Sequence, residues 1–195
     1  CLGAYPVVEY KGLAFTFMGP PDKMPPFPFY DTFDEEGDEM LPYLIDSPCN
    51  WLQVMENAWD PFHTVYLHTK AVRSQFIDAF AELPRIEYFS TEIGDFYTNT
   101  RRVGDIIWLR VHDKVLPSFT QNGGHFPTPD DSLYFGRCGL SRWVVPIDDE
   151  NTRVIAWRHF REGDDPKGMT NKDEVGFGKT DFYGQGADRS YDQRQ

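Results

Sequence analysis

The sequence predicts an α+β fold in which a helical segment precedes an antiparallel sheet. Between residues 86 and 162, five segments are rich in β-branched and aromatic residues and are separated by Gly, Asn, Pro and Asp turn residues. Residues 49–68 instead carry large apolar side chains at spacings of three and four, which is typical of an amphipathic helix. Helices beside a succession of antiparallel strands define the α+β class. A further helix is expected after the sheet.

The N-terminal part predicts a hairpin followed by a linker. Residues 5–18 alternate and are rich in Val, Phe and Tyr, and Lys11 and Gly12 mark a turn, as in a β-hairpin. Residues 20–30 contain five prolines, which favours an extended, semi-rigid connector over the alternative of a proline-rich recognition ligand. The acidic residues 31–39 are typical of a solvated loop.

The composition is that of an acidic protein without a disulfide framework. The 195 residues carry 31 acidic and 19 basic side chains, a net charge of −12, which disfavours binding to nucleic acids or anionic membranes. Three cysteines lie far apart at positions 1, 49 and 138, so a reducing cytoplasm is the expected location. No apolar run in the sequence reaches the ~20 residues of a membrane span. Aromatic residues make up 16% of the chain, which suits an apolar pocket or a large core.

Residues 49–68 contain the candidate metal ligands. Asp60, His63 and His68 are spaced D-x2-H-x4-H. Two imidazoles and a carboxylate are the ligand set of many non-heme iron(II) centres, and they leave coordination positions open. Taken singly, Asp60 is also explained as the N-cap of a second helical piece, and each histidine as a buried core side chain.

The helix in this segment is expected to start, break and widen at particular residues. Ser47 suits the N-cap and Pro48 the first helical position. Pro61 removes a helical hydrogen bond and disfavours helical geometry at the residue before it, so we expect a break there. Positions five apart on an ideal helix point about 140° apart. His63 and His68 can therefore meet only if a wide turn or a helix end lies between them.

The full string NWLQ-x2-EN-x2-D-x2-H-x4-H resembles the mononuclear-iron motif of Rieske non-heme iron oxygenases, specifically of their large (alpha) subunit. The segments NTRRVGD and RWVVPIDDENT are also similar to that family's catalytic domain, nearest to its phthalate dioxygenase and vanillate demethylase branch. The resemblance implies a helix-grip (START-like) fold, in which a curved antiparallel sheet wraps a helix and encloses a pocket. It also implies an enzyme that uses mononuclear Fe(II) and O2 to hydroxylate or O-demethylate an aromatic substrate, with an aromatic acid favoured.

The same resemblance implies a division of the chain. Residues 1–19 correspond to the last hairpin of a Rieske 2Fe-2S domain, residues 20–40 to a linker, and residues 41–195 to a mononuclear-iron catalytic domain truncated at its C-terminus. The cluster ligands are then expected upstream, and Cys1 has no partner histidine that would make it one of them. The third iron ligand, a carboxylate, is expected beyond Gln195, and the isolated fragment is expected to be inactive. Four aspartates within the chain are alternative candidates for this ligand, but none of them lies in a recognisable motif: Asp148, Asp149, Asp181 and Asp192.

The resemblance also implies roles and partners. Asp60 would bridge an iron-binding histidine and a cluster ligand of a neighbouring subunit, where it relays electrons and fixes ring tautomers. Asn57 would lie beside the metal ligands. A reductase or ferredoxin is the expected electron donor. A cyclic homo-oligomer, most often a trimer in this branch, is expected because cluster and iron within one chain are too far apart. The tail 163–195 is expected to be a long loop between subunits.

Pocket residues are harder to predict. The candidates, taken as inward-facing strand residues, are Ile107, Trp108, Phe119 and Phe126. Core packing is the favoured interpretation for them. Arg101, Arg102 and Arg142 are interpreted as partners in surface salt bridges. An anionic substrate would require a basic partner, and the sequence does not identify which arginine that is.

A rival hypothesis is a helix-grip binding module that carries an apolar ligand without redox chemistry. A carrier needs no D-x2-H-x4-H cluster, which favours the oxygenase. A metal-dependent hydrolase is a weaker alternative, since the chain has no H-E-x-x-H motif to supply a general-base Glu.

Overall fold

The computed structural model describes residues 4–71, 78–123 and 138–161, together with Lys172. The strands in these ranges are β1 (Val7–Tyr10), β2 (Leu13–Thr16), β3 (Glu39–Ser47), β4 (Arg85–Ser90), β5 (Gly94–Val103), β6 (Ile106–Val115), β7 (Phe119–Gly123), β8 (Cys138–Pro146) and β9 (Thr152–Phe160). The helices are α1 (Trp51–Trp59) and α2 (Phe62–Val65), and α2 runs into a π-helical turn, Tyr66–Ala71. Short 3-10 turns cover Pro21–Lys23, Asp31–Phe33 and Asp78–Ala81. None of the helices in the described ranges combines the length and apolar character that crossing a bilayer requires.

Seven of these strands form one antiparallel sheet in the order β3-β9-β8-β7-β6-β5-β4, and β1 and β2 form a separate hairpin. The predicted α+β class is confirmed. The sheet has more strands than the sequence indicated, partly because the segment 105–121, taken as one strand, contains β6 and the first three residues of β7. The other addition is β3, which pairs with β9 along its whole length. Pro42 is tolerated in β3 because this strand lies at the edge of the sheet.

The helix α1 packs on one face of the sheet, which we call the inner face. Met55 of α1 is 3% exposed and belongs to a buried cluster with Tyr43 of β3, Val144 of β8 and Ala156 of β9. Side chains alternate between the two faces along each strand, so the register assigns the remaining strand residues to a face. A helix against one face of an antiparallel sheet is the arrangement expected of the helix-grip fold.

The opposite, outer face is covered by the N-terminal hairpin and the linker. Trp157 of β9 is fully buried there, and its indole N–H donates to the carbonyl oxygen of Lys11 at 2.9 Å. The Tyr10 hydroxyl donates to the carbonyl oxygen of Phe33 at 2.6 Å. The aromatic rings that meet in this outer core are Tyr10, Phe15, Phe27, Phe29, Tyr30, Phe33, Phe119, Trp143 and Trp157. Much of the chain's aromatic content therefore holds its N-terminal segment on the sheet.

The predicted turn of the hairpin is confirmed. Lys11 and Gly12 both have positive φ, 45° and 79°, as the two central residues of a type I′ turn require. A Cβ added at Gly12 would lie 2.8 Å from the Cγ of Pro42. The turn therefore lies directly against β3.

The start of α1 differs from the prediction. Asn50 is the N-cap, and its side-chain oxygen accepts a hydrogen bond from the Leu52 N–H at 2.9 Å. Ser47 is instead the last residue of β3, where it pairs with Thr152. The prediction of Ser47 as N-cap and Pro48 as first helical residue was wrong because Ser47 belongs to β3 and pairs with β9.

Replacing Phe33 with Ala should strongly destabilise the protein. Phe33 is 1% exposed and packs against Trp157 and Phe119, and truncation of a buried Phe typically costs about 3–5 kcal/mol. Urea titration gives the free energy of unfolding. Phe29→Ala is the matched control, because Phe29 is 52% exposed and should lose about 1 kcal/mol or less. An equal loss of unfolding free energy in the two variants would contradict the burial of Phe33 in the outer core.

Candidate metal centre

The helix that carries the first half of the motif ends where the sequence predicts. Asp60 has extended backbone angles, φ −106° and ψ 97°, and its N–H donates to the carbonyl oxygen of Asn57 at 3.3 Å. Pro61 has no N–H with which to continue α1, and α2 begins at Phe62. The predicted break between Asp60 and Pro61 is therefore confirmed.

Asp60 caps the second helical piece. Its Oδ1 accepts a hydrogen bond from the Phe62 N–H at 2.8 Å, which supports the N-cap interpretation. Its Oδ2 lies 3.9 Å from Nδ1 of His63, too far for a hydrogen bond. The Asp60 side chain is 50% exposed, so one carboxylate oxygen remains accessible from outside the chain. Asn57 is also exposed, at the end of α1.

The helix widens between the two histidines. The π-helical turn begins at Tyr66, and the hydroxyl of Thr69 donates to the carbonyl oxygen of Thr64, five residues earlier, at 2.7 Å. A wider turn brings positions five apart closer to one direction than an α-helix does. The ring centroids of His63 and His68 are 5.1 Å apart, with their planes at 69°. The predicted local distortion is present, and the two imidazoles are neighbours.

The geometry of the two rings fits two ligand positions of a metal site. Imidazoles that bind one ion through nitrogens about 2.1 Å away, with roughly 90–105° between the bonds, have ring centroids about 4.5–5 Å apart. The observed separation of 5.1 Å is close to this value. The Nδ1–H of His63 donates to the carbonyl oxygen of Asp60, which leaves Nε2 as the lone-pair donor; histidine ligands commonly use their second nitrogen in this way. Burial lowers the pKa of His63, which favours the neutral form that binds metals.

A third ligand is not found in the described ranges. Within residues 4–71, 78–123 and 138–161 and Lys172, no group of three or more His, Cys, Asp or Glu side chains could hold a metal ion. Asp148 accepts hydrogen bonds within the β8–β9 turn, where Asp149 also lies. Asp181 and Asp192 fall outside the described residues. A carboxylate ligand beyond Gln195 stays a prediction.

The pocket candidates do not share one face of the sheet. Ile107 is 65% exposed on the outer face, and Phe119 belongs to the outer core. Trp108 is buried on the inner face against Phe80. Adjacent strand residues point to opposite faces, so Ile107 and Trp108 cannot line the same pocket. Of the described candidates, only Trp108 is on the histidine side; Phe126 falls outside the described residues.

Arg101 corrects the interpretation of the arginines as surface residues. It is 1% exposed, and its guanidinium donates to the carbonyl oxygen of Glu82 at 3.0 Å and to the hydroxyl of Thr64 at 3.3 Å. It also donates to the side-chain oxygen of Asn99. The salt-bridge interpretation was wrong for Arg101 because this side chain points inward from β5. It ties the sheet to the residue that follows His63.

The other two arginines differ from each other. Arg102 points outward from β5, where its Nε donates to the carbonyl oxygen of Gly104 at 3.2 Å. Arg142 is half-buried on the inner face of β8. Neither side chain forms an ion pair with a carboxylate in the described ranges. Among the residues that the structure describes, a surface salt bridge therefore explains none of the three arginines.

The inner face also holds a polar core that the sequence did not indicate. His112 of β6 is 5% exposed and stacks on the ring of Tyr97 of β5, with centroids 4.7 Å apart and planes at 18°. The Tyr97 hydroxyl donates to the carbonyl oxygen of Ala58 in α1 at 3.4 Å, and burial raises the pKa of Tyr97 to about 12. Burial, with the charges of Arg110 and Arg142 nearby, lowers the pKa of His112 well below its usual value.

A serine, a histidine and an aspartate line up on the outer face. Ser141 Oγ is 2.9 Å from Nε2 of His159, whose Nδ1 is 2.5 Å from Oδ2 of Asp38. This is the order of groups in a hydrolase triad. However, Ser141 is fully buried, and its Oγ also accepts a hydrogen bond from Gln121 at 2.9 Å. The network is therefore structural, and it fastens Asp38 of the linker to β8 and β9.

Comparison with known proteins identifies the family. No protein-family model matches the chain. The oxygenase subunit of the tert-butanol monooxygenase / tert-amyl alcohol desaturase of Aquincola tertiaricarbonis is 36% identical, over 100% of this chain and 44% of that subunit. The alpha subunit of the phenoxybenzoate dioxygenase of Ectopseudomonas oleovorans is 31% identical, over 76% of this chain and 39% of that subunit. The chain belongs to the alpha-subunit family of Rieske non-heme iron oxygenases.

Solved structures of Rieske oxygenases share the fold. Dicamba monooxygenase bound to dicamba matches with a TM-score of 0.60 and 16% identity, over 85% of this chain and 52% of that one. The match confirms the predicted catalytic-domain fold. The chain spans less than half the length of the curated Rieske oxygenase relatives it matches, 44% and 39%.

The buried imidazole of His112 should make the stability of the protein depend on pH. The folded state holds it neutral, whereas an unfolded histidine titrates near pH 6.5, so the folded state binds fewer protons below that pH. Protonation of this histidine in the unfolded state alone should lower the free energy of unfolding by up to about 1.4 kcal/mol per pH unit as the pH falls below about 6.5. In His112→Gln the free energy of unfolding should change less with pH. Urea titrations at pH 7.5, 6.5 and 5.5 measure this change.

The exposed Arg102 provides the control for this measurement. Arg102→Gln lies on the outer face and should keep the wild-type dependence on pH. An unchanged slope in His112→Gln would show that this imidazole does not titrate as its burial requires.

Proposed function

We propose that this chain is the catalytic part of a terminal oxygenase component that activates O2 at a mononuclear Fe(II) and hydroxylates or O-demethylates an aromatic substrate. His63 and His68 are the two histidine ligands in this proposal, and a carboxylate outside the described ranges is the third. The observation that carries it is the neighbouring pair of rings, with the Nδ1–H of His63 bonded to the carbonyl oxygen of Asp60. Family membership supports the same reaction class.

A ferrous ion bound by these residues would supply the activation of O2. The chain's own side chains position the ligands and exclude water. The carbonyl oxygen of Asp60 sets the tautomer of His63. Arg101 holds Thr64, the residue after that histidine, against β5. The rings of Trp108 and Phe80 meet edge to face at 5.1 Å on the same face of the sheet, where the guanidinium groups of Arg101 and Arg110 lie over them.

The surface around Asp60 supports the proposed partners. Large apolar side chains flank its half-exposed carboxylate: Phe62 is 44% exposed, Tyr66 53% and Tyr88 57%. Exposed apolar clusters commonly mark protein interfaces. We assign this surface to a neighbouring subunit of a homo-oligomer, a trimer in this branch, that brings its 2Fe-2S cluster to Asp60. A ferredoxin or reductase supplies the electrons to that cluster. Asn57 is assigned a position beside the ligands.

The proposed division of the chain follows the resemblance: residues 1–19 end a Rieske domain, 20–40 are a linker, and 41–195 belong to the catalytic domain. The free thiols Cys49 and Cys138 support the proposed cytoplasmic location. Neither nucleic acid nor membrane is a proposed partner. The rival hypothesis, a binding module without redox chemistry, gives no reason for two adjacent imidazoles with a set tautomer.

His63→Ala in the full-length protein should lose mononuclear iron while it keeps the absorption spectrum of the 2Fe-2S cluster. Loss of a ligand should lower iron affinity by at least about 10–100-fold, which iron analysis per chain will detect. Leu67→Ala is the matched control, because Leu67 lies between the histidines and is 45% exposed. Unchanged iron stoichiometry in His63→Ala would refute ligation by this residue.

Asp60→Asn should preserve the fold and the iron content of the full-length protein but abolish turnover. An amide oxygen can still cap the Phe62 N–H, whereas the negative charge that faces the neighbouring subunit is lost. Product formation and O2 consumption should fall by about 10–100-fold or more. Glu92→Gln removes an exposed charge from the turn between β4 and β5, outside the motif, and should keep full activity. Retained activity in Asp60→Asn would refute the relay role.

A further inference from the structure

Both candidate iron ligands occur in the same dipeptide, His-Thr, which is repeated five residues later in the chain. His63 precedes Thr64, and His68 precedes Thr69. Both threonine hydroxyls donate to main-chain carbonyl oxygens of the same helical segment, but they reach back by different numbers of residues. The difference follows the change from the α-helical to the π-helical turn, so the two threonines have different roles in this segment.

The first hydroxyl belongs to the regular part of the helix. Thr64 Oγ1 donates to the carbonyl oxygen of Pro61, three residues earlier, at 2.6 Å. Bonds from a threonine hydroxyl to the carbonyl three or four residues earlier are common in α-helices. Thr64 Oγ1 also accepts a hydrogen bond from Arg101 at 3.3 Å. The start of the segment is therefore fastened to β5.

The second hydroxyl spans the place where the helix widens. Thr69 Oγ1 lies 2.7 Å from the carbonyl oxygens of both Val65 and Thr64, four and five residues earlier. A hydroxyl has one proton, so the two carbonyl oxygens share it. The bond to Val65 is the ordinary helical one, whereas the bond to Thr64 has the i to i−5 reach of a π-turn. Thr69 therefore holds the segment in its widened form.

A regular α-helix is the conformation that competes with this wide turn, because π-helical turns are rare. Val65 is fully buried, but the next two residues, Tyr66 and Leu67, are 53% and 45% exposed. Within this chain, packing thus fixes the start of the wide turn more firmly than its middle. The partly buried Thr69 then ties the far side of the turn back to that start.

The width of the turn decides whether the two histidines can share one ion. In an α-helix the side chains of His63 and His68 would point about 140° apart. In the wide turn their ring centroids are 5.1 Å apart. A group that favours the wide turn over the α-helix therefore also favours metal binding.

We propose that Thr69 is a positioning residue of the metal centre: its hydroxyl holds the wide turn, and the turn places the imidazole of His68 beside that of His63. This role rests on the proposed iron site and adds a residue that sets the geometry of that site. Thr69 acts through its neighbour His68 and is not itself a ligand. The alternative is an ordinary helical hydrogen bond, which would stabilise the segment without affecting the metal.

Thr69→Val keeps the size and branching of the side chain and removes the hydroxyl from the full-length protein. In the iron-free protein the amides of residues 66–71 should exchange with deuterium about fivefold faster, the factor expected for one lost hydrogen bond. Fe(II) binding without O2 should weaken by about tenfold or more, as when a group that orients a metal ligand is removed. Thr69→Ser keeps the hydroxyl and should recover most of the affinity.

Thr98→Val is the matched control, because Thr98 lies on the outer face of β5. It should change neither the exchange of these amides nor the affinity for Fe(II).

A second variant, Thr69→Ala, distinguishes positioning from general stability. Alanine favours a regular α-helix more than threonine does, so the helical circular dichroism should be kept while Fe(II) binding falls at least as far as in Thr69→Val. The nitric oxide complex of the bound ferrous ion gives an EPR signal whose rhombicity depends on the arrangement of the ligands. This rhombicity should change in Thr69→Val and Thr69→Ala but not in Thr69→Ser.

Wild-type affinity for Fe(II) in both Thr69→Val and Thr69→Ala would overturn the role of Thr69. An equal loss of affinity in Thr69→Ser would assign the effect to the methyl group instead of the hydroxyl, and would also overturn it.

The same measurements separate this role from the proposed function. A wild type that binds mononuclear iron no more tightly than Thr69→Val does retains the oxygenase proposal and loses the role of Thr69. A wild type that binds no mononuclear iron loses the oxygenase proposal. Deuterium exchange then decides on the hydroxyl by itself: faster exchange in Thr69→Val supports its hold on the wide turn, and unchanged exchange overturns it.

Discussion

Pro61 cannot donate a backbone hydrogen bond, and the arrangement of the candidate metal centre depends on that missing donor. The carbonyl oxygen of Asn57 accepts from Asp60 instead, so α1 ends at Trp59 and the chain turns before α2. The turn leaves the carbonyl oxygen of Asp60 pointing at the ring of His63. The wide turn that follows then brings His68 beside that ring. The covalent constraint at Pro61 thus sets the orientation of the His63 ring, and the wide turn sets the position of His68.

The two faces of the sheet differ in the polarity of their side chains along the same strands. In β6 the outward residues Ile107 and Leu109 are exposed and apolar, whereas the inward residues Arg110 and His112 are buried and charged or polar. At these four positions the apolar side chains face solvent and the polar ones are buried, which is the opposite of the usual arrangement. The hydrophobic stabilisation of the domain comes instead from the outer core and from the contacts of α1. The inner face is therefore apolar where α1 packs on β3, β8 and β9, and it carries buried polar groups at β6.

The parts of the fold that could be predicted are those with a local cause. Lys11 and Gly12 adopt the turn, and Pro61 the break, because backbone geometry at these residues depends on the residues themselves. The wide turn could be predicted from the spacing of His63 and His68, once both were assumed to bind one ion.

The parts that could not be predicted depend on distant neighbours. Arg101 and Arg102 are adjacent and chemically identical, yet one is 1% exposed and the other lies at the surface. Only the pairing of β5 with β6 decides which of them faces inward. The strand β3 was missed for a similar reason, since it is specified by its pairing with β9. Ile107 and Phe119 were poor pocket candidates because the face of a strand residue is fixed by register and not by its apolar character.

The attachment of the hairpin has a consequence for long-range electron transfer. Trp157 holds the β1–β2 turn at 2.9 Å on the side of the sheet away from the imidazoles. A redox group that lay against the outer face beside that turn would have the full thickness of the sheet between it and His63. Because tunnelling rates fall steeply with distance, a redox group on that side would be a poor electron donor to this imidazole, which fits the proposed route across Asp60 from a neighbouring subunit.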